Sequence, residues 1–447
     1  MSHPSIRPTV AVLTLGCKVN QYESEAISEA FAEAGFAPRP SREVCDVYVI
    51  NTCTVTAESD RKSRQLIRRL IEKNPAAYII VTGCSAQSRA QEIAAIRGVD
   101  CVVGNHRKLS VVSHAISLLN SGKKTDAPII DVPSLDRGEF EPMSITKFGR
   151  TRAYVKIEDG CESKCAYCAI PAARGPIRSK PAEEVLREVG ALFEKGCREV
   201  VLTGIETGSW GRDLGDARLG DLLAEIDKLP HSGRIRLGSL DPTVMTEAFA
   251  NRIATLASPA PHFHLSMQSG CSATLARMRR KYNAAQAMAA MERVRAVMPN
   301  VQFTTDMIVG FPGETDEEFE ETLNFARQAR FLHIHVFPYS QREGTPAATM
   351  PNQVTGAVKR ERVAKLTAVS EASCAAILDE ILARPHEPLT VLPETRGAGY
   401  FTAHTPNFIE IRVETEGDNL LCNGEQEVLP VRREGGVLIC RPVRSNA

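Results

Sequence analysis

The stretch Ala153-Tyr-Val-Lys-Ile157, followed by Gly160-Cys-Glu-Ser-Lys-Cys-Ala-Tyr-Cys168, sets the reading of the whole chain. Its first part reads as a strand. Its second part places Cys161, Cys165 and Cys168 at C-x3-C-x2-C spacing in a short loop past the strand's C-terminal end. Four thiolates would close a zinc site or saturate an iron–sulfur cube. Three leave one iron of a [4Fe–4S] cluster open for chemistry. A zinc site completed by a distant ligand, or three unrelated thiols, are the alternatives at this point.

Working outward on the C-terminal side, strand-like runs recur at wide spacing, mostly separated by helical segments: Glu199–Thr203, Arg234–Ser239, His262–Ser266, Val301–Val309 and His333–Tyr339. Pro181 opens the first helix and Gly196 ends it, and Thr315 with Glu318 forms a capping box for the fifth. With Ala153–Ile157 this makes six βα units, which predicts an open (β/α)6 barrel whose active face lies at the strands' C-terminal ends. The loops at those ends carry Thr203, Gly204 and Glu206, then Gln268, then Asp306 and Gly310. These residues, with Tyr167 of the cysteine loop, are the expected small-molecule site. His262 with His264, and His333 with His335, alternate along their strands and share a face, for which packing or hydrogen bonding is favoured over metal ligation. Arg279 and Arg280 follow the Gln268 loop and read as a solvated helix or a phosphate patch.

On the N-terminal side, Thr9–Thr14, Asp46–Asn51, Ala77–Thr82 and Val99–Val103 are apolar strands alternating with helices. This predicts an open, doubly wound parallel sheet. Asn20 three residues before Glu23 reads as a helix start, and helices are expected at about 57–73 and 87–97. Cys17, Cys53 and Cys84 each fall just past a strand's C-terminal end, along one edge of a parallel sheet, where ligands bind. They are expected to converge as a second three-thiolate site. Cys45 and Cys101 lie elsewhere on their strands and are not candidates. Arg61, Arg64 and Arg68 are on the polar side of the helix after Cys53, as a solvated face or an RNA phosphate track.

Residues 121–146 lack periodicity and read as a linker. The domains are then 8–120, 147–384 and 385–445, the last with five short strands suggesting a small β-barrel of a kind that often binds RNA. The chain has 447 residues, 43% of them hydrophobic, and a formal net charge of zero, so any RNA surface must be local. Thirteen cysteines, an odd number, argue against a disulfide framework. The start, Met1-Ser-His-Pro-Ser-Ile-Arg-Pro, lacks a signal peptide's apolar segment, and no run reads as a membrane span. A reducing, cytoplasmic location is expected.

Taken together, the cluster loop, the six strands and the glycine turns resemble radical S-adenosylmethionine (SAM) enzymes. With the upstream cysteines and the β module, nearly the whole chain resembles the methylthiotransferase family. Leu15-Gly-Cys-Lys-Val-Asn-Gln-Tyr-Glu-Ser24, Asn51-Thr-Cys-Thr-Val55, Gln268-Ser-Gly270 and Phe337-Pro-Tyr-Ser-Gln-Arg-Glu-Gly-Thr-Pro346 resemble the branch acting on threonylcarbamoyladenosine in tRNA. The isopentenyladenosine branch usually has Gln-Met-Asn after its first cysteine, where this chain has Lys18-Val-Asn, and the branch acting on a ribosomal-protein aspartate has Pro-Lys-Asn. Ala172 replaces the family's usual aromatic, and the last module matches the family's TRAM pattern only loosely, around Gly399–Phe408. The resemblance implies two [4Fe–4S] clusters, one binding SAM at Cys161, Cys165 and Cys168 and one carrying sulfur at Cys17, Cys53 and Cys84. It implies methylthiolation of adenosine C2 beside the anticodon (position 37 of tRNA) and an external electron donor such as flavodoxin or ferredoxin. The sulfur donor is not identified by the sequence.

Overall fold

The computed structural model describes residues 7–124, 127–136, 138–149, 151–230, 233–415 and 424–443. The start of the chain, on which the leader reading rests, lies mostly outside the described residues. No helix among the described residues is long and apolar enough to cross a membrane.

The N-terminal layer is a parallel sheet of β1 (Thr9–Thr14), β2 (Ala37–Pro38), β3 (Val47–Thr52), β4 (Tyr78–Gly83), β5 (Cys101–Val103) and β6 (Ile129–Asp131), ordered β2-β1-β3-β4-β5-β6. Helices α1 (Lys18–Glu33), α2 (Ala57–Lys73), α3 (Cys84–Ser88), α4 (Ala90–Ala94) and α5 (Ser110–Ser121) connect the strands. Strands β3 and β4 are buried along their whole length, as strands covered on both faces must be. Cys45 and Cys101 lie in the two cores flanking this sheet. Three expectations change. Part of the segment read as a linker supplies β6, which pairs with β5. The helix expected at about 87–97 is two short helices beginning at Cys84. Helix α1 starts earlier than read, with Cys17 as its N-cap. Asn20 and Glu23 therefore sit inside the helix, both fully buried, with uses other than capping.

The middle of the chain winds β7 (Ala153–Lys156), β10 (Glu199–Thr203) and β11 (Arg234–Leu237) into one parallel sheet. Strands β12 (Ser239–Leu240), β13 (His262–Gln268), β14 (Gln302–Val309) and β15 (His333–Pro338) form a second. The sequence's third strand is thus broken at Gly238, whose amide instead donates to Leu202 O at 2.7 Å. Helices α7 (Ala182–Glu194), α8 (Leu219–Asp227), α9 (Glu247–Ile253), α10 (Ser272–Arg277), α11 (Ala284–Val297) and α12 (Asp316–Ala329) cover the outside. The capping box at Thr315 and Glu318 is present. The edge strands β7 and β15 do not pair with each other, so the barrel is open. Helix α1 packs on β7, and the long α13 (Gly356–Leu382) packs on β15. Tyr22 of α1 reaches across to donate to Met143 O at 2.6 Å.

Between β7 and α7, a two-residue ladder of β8 (Glu158–Asp159) and β9 (Arg178–Ser179) staples the base of the cysteine loop, which includes α6 (Ile170–Arg174). Gly160 adopts φ +93°, and a Cβ there would lie 2.0 Å from Pro176 O, so only glycine lets the loop fold back this tightly. The C-terminal strands β16 (Leu389–Gly397), β17 (Tyr400–His404), β18 (Glu410–Glu414), β19 (Gln426–Glu434) and β20 (Val437–Pro442) close a barrel in the order β16-β17-β18-β20-β19. Phe408, just before β18, stacks on His262 of the larger barrel with ring centroids 4.5 Å apart.

A buried charge network joins the first two layers. Glu23 of α1 meets Lys108, Lys156 at 2.8 Å and Arg174 at 2.5 Å, all essentially without exposure. Asp159 pairs with Lys156 at 3.0 Å and Arg174 at 3.2 Å. Burial opposes both carboxylates, yet the surrounding cations hold Glu23 well below the usual range and Asp159 down to about 2. Groups so depressed stabilise the fold fully above their unfolded value, 3.8 for Asp159, and lose that contribution as pH falls toward about 2. The urea midpoint is therefore expected to drop as pH falls through this window, with these two carboxylates among the causes. Glu23→Gln, which strands the buried Lys108 and leaves Lys156 and Arg174 with Asp159 alone, is expected to cost about 3–5 kcal/mol in urea unfolding at neutral pH.

Candidate iron–sulfur site

The three upstream cysteines stand at the ends of neighbouring parallel strands, because β1, β3 and β4 are adjacent and in register from Val10↔Val47↔Tyr78 upward. Cys17 caps α1, Cys53 follows β3, and Cys84 begins α3 after Gly83. Gly16, at φ +108°, makes the approach possible: a Cβ there would lie 2.6 Å from Cys53 Cβ and 2.8 Å from its Sγ. Cys161, Cys165 and Cys168 lie in the loop above β7. Cys161 N donates to Gly175 O at 2.9 Å, and Ala166 N donates to Met278 O at 3.0 Å, fixing the loop's two sides. The two trios are neighbours, since Cys168 lies within electrostatic reach of Cys84. Burial raises the free thiols of Cys53 and Cys168 to about 11 each, so a bound cation is needed to hold them as thiolates here.

Among the described residues only His264, Asp306 and His335 bring their ligand atoms within 4.8 Å of one another. Neither cysteine trio is gathered that closely, so neither has the spacing of a single-ion zinc centre. Three separated soft donors without a fourth fit a cube that leaves one iron free, and the residues present therefore fit iron–sulfur groups.

Sequence reasoning missed Arg174 and gave Arg280 a different role. Arg174 Nε donates to Cys84 Sγ at 3.2 Å, while Arg174 Nη2 donates to Asn20 Oδ1 at 2.7 Å. Arg280 Nη1 donates to Cys165 Sγ at 3.2 Å, while its Nη2 donates to both Asp241 Oδ2 at 2.6 Å and Ser266 O at 3.0 Å. Arg280 therefore belongs to neither a solvated helix nor a phosphate patch, because α10 ends at Arg277 and the Arg280 side chain is only 8% exposed. Each trio thus has a buried arginine donating to one sulfur, which partly neutralises thiolate charge in a dry site. A cation buried beside a cysteine, several residues past the motif, gives no local sequence signal. Arg342, within the Phe337–Pro346 motif, donates to Thr54 Oγ1 and Asp60 Oδ2, both at 2.7 Å, and locks the far end of the barrel beside Cys53.

The expected small-molecule residues are distributed as follows. Glu206 Oε2 lies 3.2 Å from Cys161 Sγ and from Ser163 Oγ. Its amide donates to Glu158 Oε2 at 2.8 Å, and burial keeps the Glu158 carboxyl well above the usual range, with Oε1 lacking any partner. Gly204 leaves room for that same carboxylate, because a Cβ would lie 2.6 Å from Glu158 Oε2. Thr203 is buried, and its carbonyl accepts from Ile157 N at 2.9 Å. Gln268 ends β13 in the left-handed region at φ +67°, a conformation non-glycine residues hold at some cost. Asp306 Oδ2 is 3.3 Å from His264 Nε2, and His264 Nδ1 and His262 Nε2 both meet Thr304 Oγ1 at 2.9 and 3.0 Å. Tyr167 packs against the cluster of Met278, Phe311 and Tyr339. Gly310 faces no open approach: its amide donates to the Glu314 carboxylate, and Lys359 covers it. Arg61 is exposed and paired with Glu58, Arg68 and Arg279 are exposed, and Arg64 is half-buried.

Residues 155–326 match the Radical SAM superfamily, and residues 9–104 match the group described as uncharacterized protein family UPF0004. The threonylcarbamoyladenosine tRNA methylthiotransferase MtaB of Bacillus subtilis is 41% identical over 90% of this chain and 90% of its own. Its Thermotoga maritima namesake is 39% identical over 79% and 80%. A tRNA-2-methylthio-N(6)-dimethylallyladenosine synthase of Desulfitobacterium hafniense is 32% identical over 91% and 92%. In fold, the chain is similar to the radical S-adenosylmethionine methyltransferase TsrM of Kitasatospora setae, with TM-score 0.55 and 17% identity over 77% of each chain. The chain belongs to the radical SAM methylthiotransferases, within the family of the threonylcarbamoyladenosine tRNA enzymes.

The two neighbouring arginines separate by experiment. Arg280→Ala, which leaves Asp241 without its buried partner, is expected to cost about 3 kcal/mol in denaturant unfolding. Arg279→Ala is expected to stay within about 0.5 kcal/mol of the unaltered protein.

Proposed function

We propose that this protein adds a methylthio group to C2 of N6-threonylcarbamoyladenosine beside the tRNA anticodon, using two [4Fe–4S] clusters and SAM. The observation that carries the reading is the juxtaposition of two three-cysteine sites, one on the sheet edge and one on the barrel loop, with Arg174, six residues past Cys168, hydrogen-bonded to Cys84. Cys161, Cys165 and Cys168 hold one cluster, and Cys17, Cys53 and Cys84 hold the other. When bound, these groups and SAM supply one-electron bond cleavage and a sulfur to transfer. Arg280 and Arg174 lower the charge on Cys165 and Cys84 by hydrogen bonding. Glu206, beside Cys161, positions polar groups of SAM, with Gln268 at the end of β13 and Asp306 along β14. The buried Glu23 network shields the Arg174 side of Cys84 from water. Arg61, Arg64, Arg68 and Arg279 contribute basic charge for RNA phosphates, and the target base lies in a loop, where it can be splayed out. A cytoplasmic location and an external reductant such as flavodoxin or ferredoxin complete the reading.

Iron counting tests the two sites. Protein purified without oxygen is expected to hold about eight irons, falling to about four when Cys161, Cys165 and Cys168 are all changed to Ala; four falling to none would refute two clusters. Nucleoside mass spectrometry of tRNA from cells with and without the protein tests the substrate. Loss of methylthio-threonylcarbamoyladenosine is expected, and loss of the isopentenyl counterpart alone would move the protein to the other tRNA branch.

A further inference from the structure

Lys18 follows Cys17 and opens α1, but its side chain belongs to the barrel. It is accessible to solvent, and yet its ammonium is close enough to Arg236, Arg152, Asp306 and Glu199 for their charges to interact. His262 and His335 feel it in turn. These partners lie on or beside β7, β10, β11, β13, β14 and β15, so the charges that Lys18 meets are those of the barrel strands. Among the described residues it makes no hydrogen bond or ion pair.

The acids around it are already engaged. Arg152, Arg234 and Arg236 all bond Glu199. Glu394 meets Arg152, and Glu425 meets Arg234. Asp306 lies against His264. Farther in, Arg236 is 2% exposed with Nη1 lacking a hydrogen-bond partner, and His262 is 3% exposed with Nδ1 lacking one. Buried polar groups left unpaired are uncommon and costly. Here two of them lie within electrostatic reach of an unpaired ammonium, both against Phe408, over whose ring the Arg236 guanidinium sits at 4.7 Å and on which His262 stacks.

We propose that Lys18, with Arg236 and His262 deeper in the barrel, forms a carboxylate subsite that receives the threonyl carboxylate of the substrate nucleoside. The inference rests on the threonylcarbamoyladenosine reading and deepens it. An isopentenyl arm is apolar and gains nothing from an ammonium, and the branch that takes it usually has Gln where this chain has Lys18. A tRNA backbone phosphate offers the same charge, so the test must separate the two anions.

The test is binding of three anticodon stem-loop RNAs to the anaerobically reconstituted holoprotein. They carry threonylcarbamoyladenosine, its neutral methyl ester, or plain adenosine. The unaltered protein is expected to prefer the acid to the ester by about tenfold or more. Lys18→Met is expected to remove that preference while leaving ester and plain adenosine binding unchanged, and Lys18→Arg is expected to retain part of it. Equal binding of acid and ester by the unaltered protein overturns the proposal whatever the variants do. Equal weakening of all three RNAs by Lys18→Met, at unchanged iron content, assigns Lys18 to a backbone phosphate and also overturns it. If the protein fails to methylthiolate the modified tRNA at all, the broader reading falls; if it succeeds without an acid preference, only the subsite falls.

Discussion

Arg174 is the side chain on which the arrangement of this molecule depends. It is fully buried, it arises six residues after the last cysteine of the barrel loop, and it ends in the other domain on Glu23, Asn20 and Cys84. A buried guanidinium is tolerable only when its donors are matched. Its match is drawn from both layers: Asp159 on the barrel side, Glu23 and Asn20 on the sheet side. A shift of either layer would leave ions uncompensated in a dry environment. Electrostatics thus fixes the distance between the two cysteine sites more tightly than apolar packing could, because packing tolerates sliding and a matched buried charge does not.

The same logic explains why the C-terminal ends of the sheet strands are polar while the middles of β3 and β4 are apolar. Strands β3 and β4 are buried throughout, and one face of the barrel strands packs with the covering helices in one continuous aliphatic and aromatic core. At the ends, each turn brings a sulfur, an acid or a basic group, and each of the two sulfur sites receives one arginine hydrogen bond. The scaffold supplies rigidity, and the loops supply a cation beside each group of thiols.

Much of this was legible in the sequence because it is written in local signals. The apolar runs ending at Thr14, Asn51 and Thr82 mark β1, β3 and β4, and the cysteines just past them follow from parallel topology alone. Thr315 with Glu318 announces α12 by a cap that the structure contains. What was misread depends on partners distant in the chain. Asn20 and Glu23 have the residue types of a helix start, but their side chains are taken by Arg174, Lys108 and Lys156, so the helix begins one turn earlier. Arg280 sits in a basic run that suggests a surface, and only Asp241 and Cys165 explain its burial. Gly238 reads as part of a strand that it interrupts, and Gly310 as a turn glycine, whereas it accommodates Lys359.

The Arg342 contact with Thr54 and Asp60 spans 288 and 282 residues of chain. Contacts of such separation close late, after the intervening segments are in place. During synthesis the first domain can form its sheet early, with Cys17, Cys53 and Cys84 already aligned along one edge. The wall beside Cys53 is completed only after nearly the whole barrel has emerged from the ribosome. That interval leaves the upstream thiols accessible while the protein is still immature, before the Arg342 contact closes over Thr54.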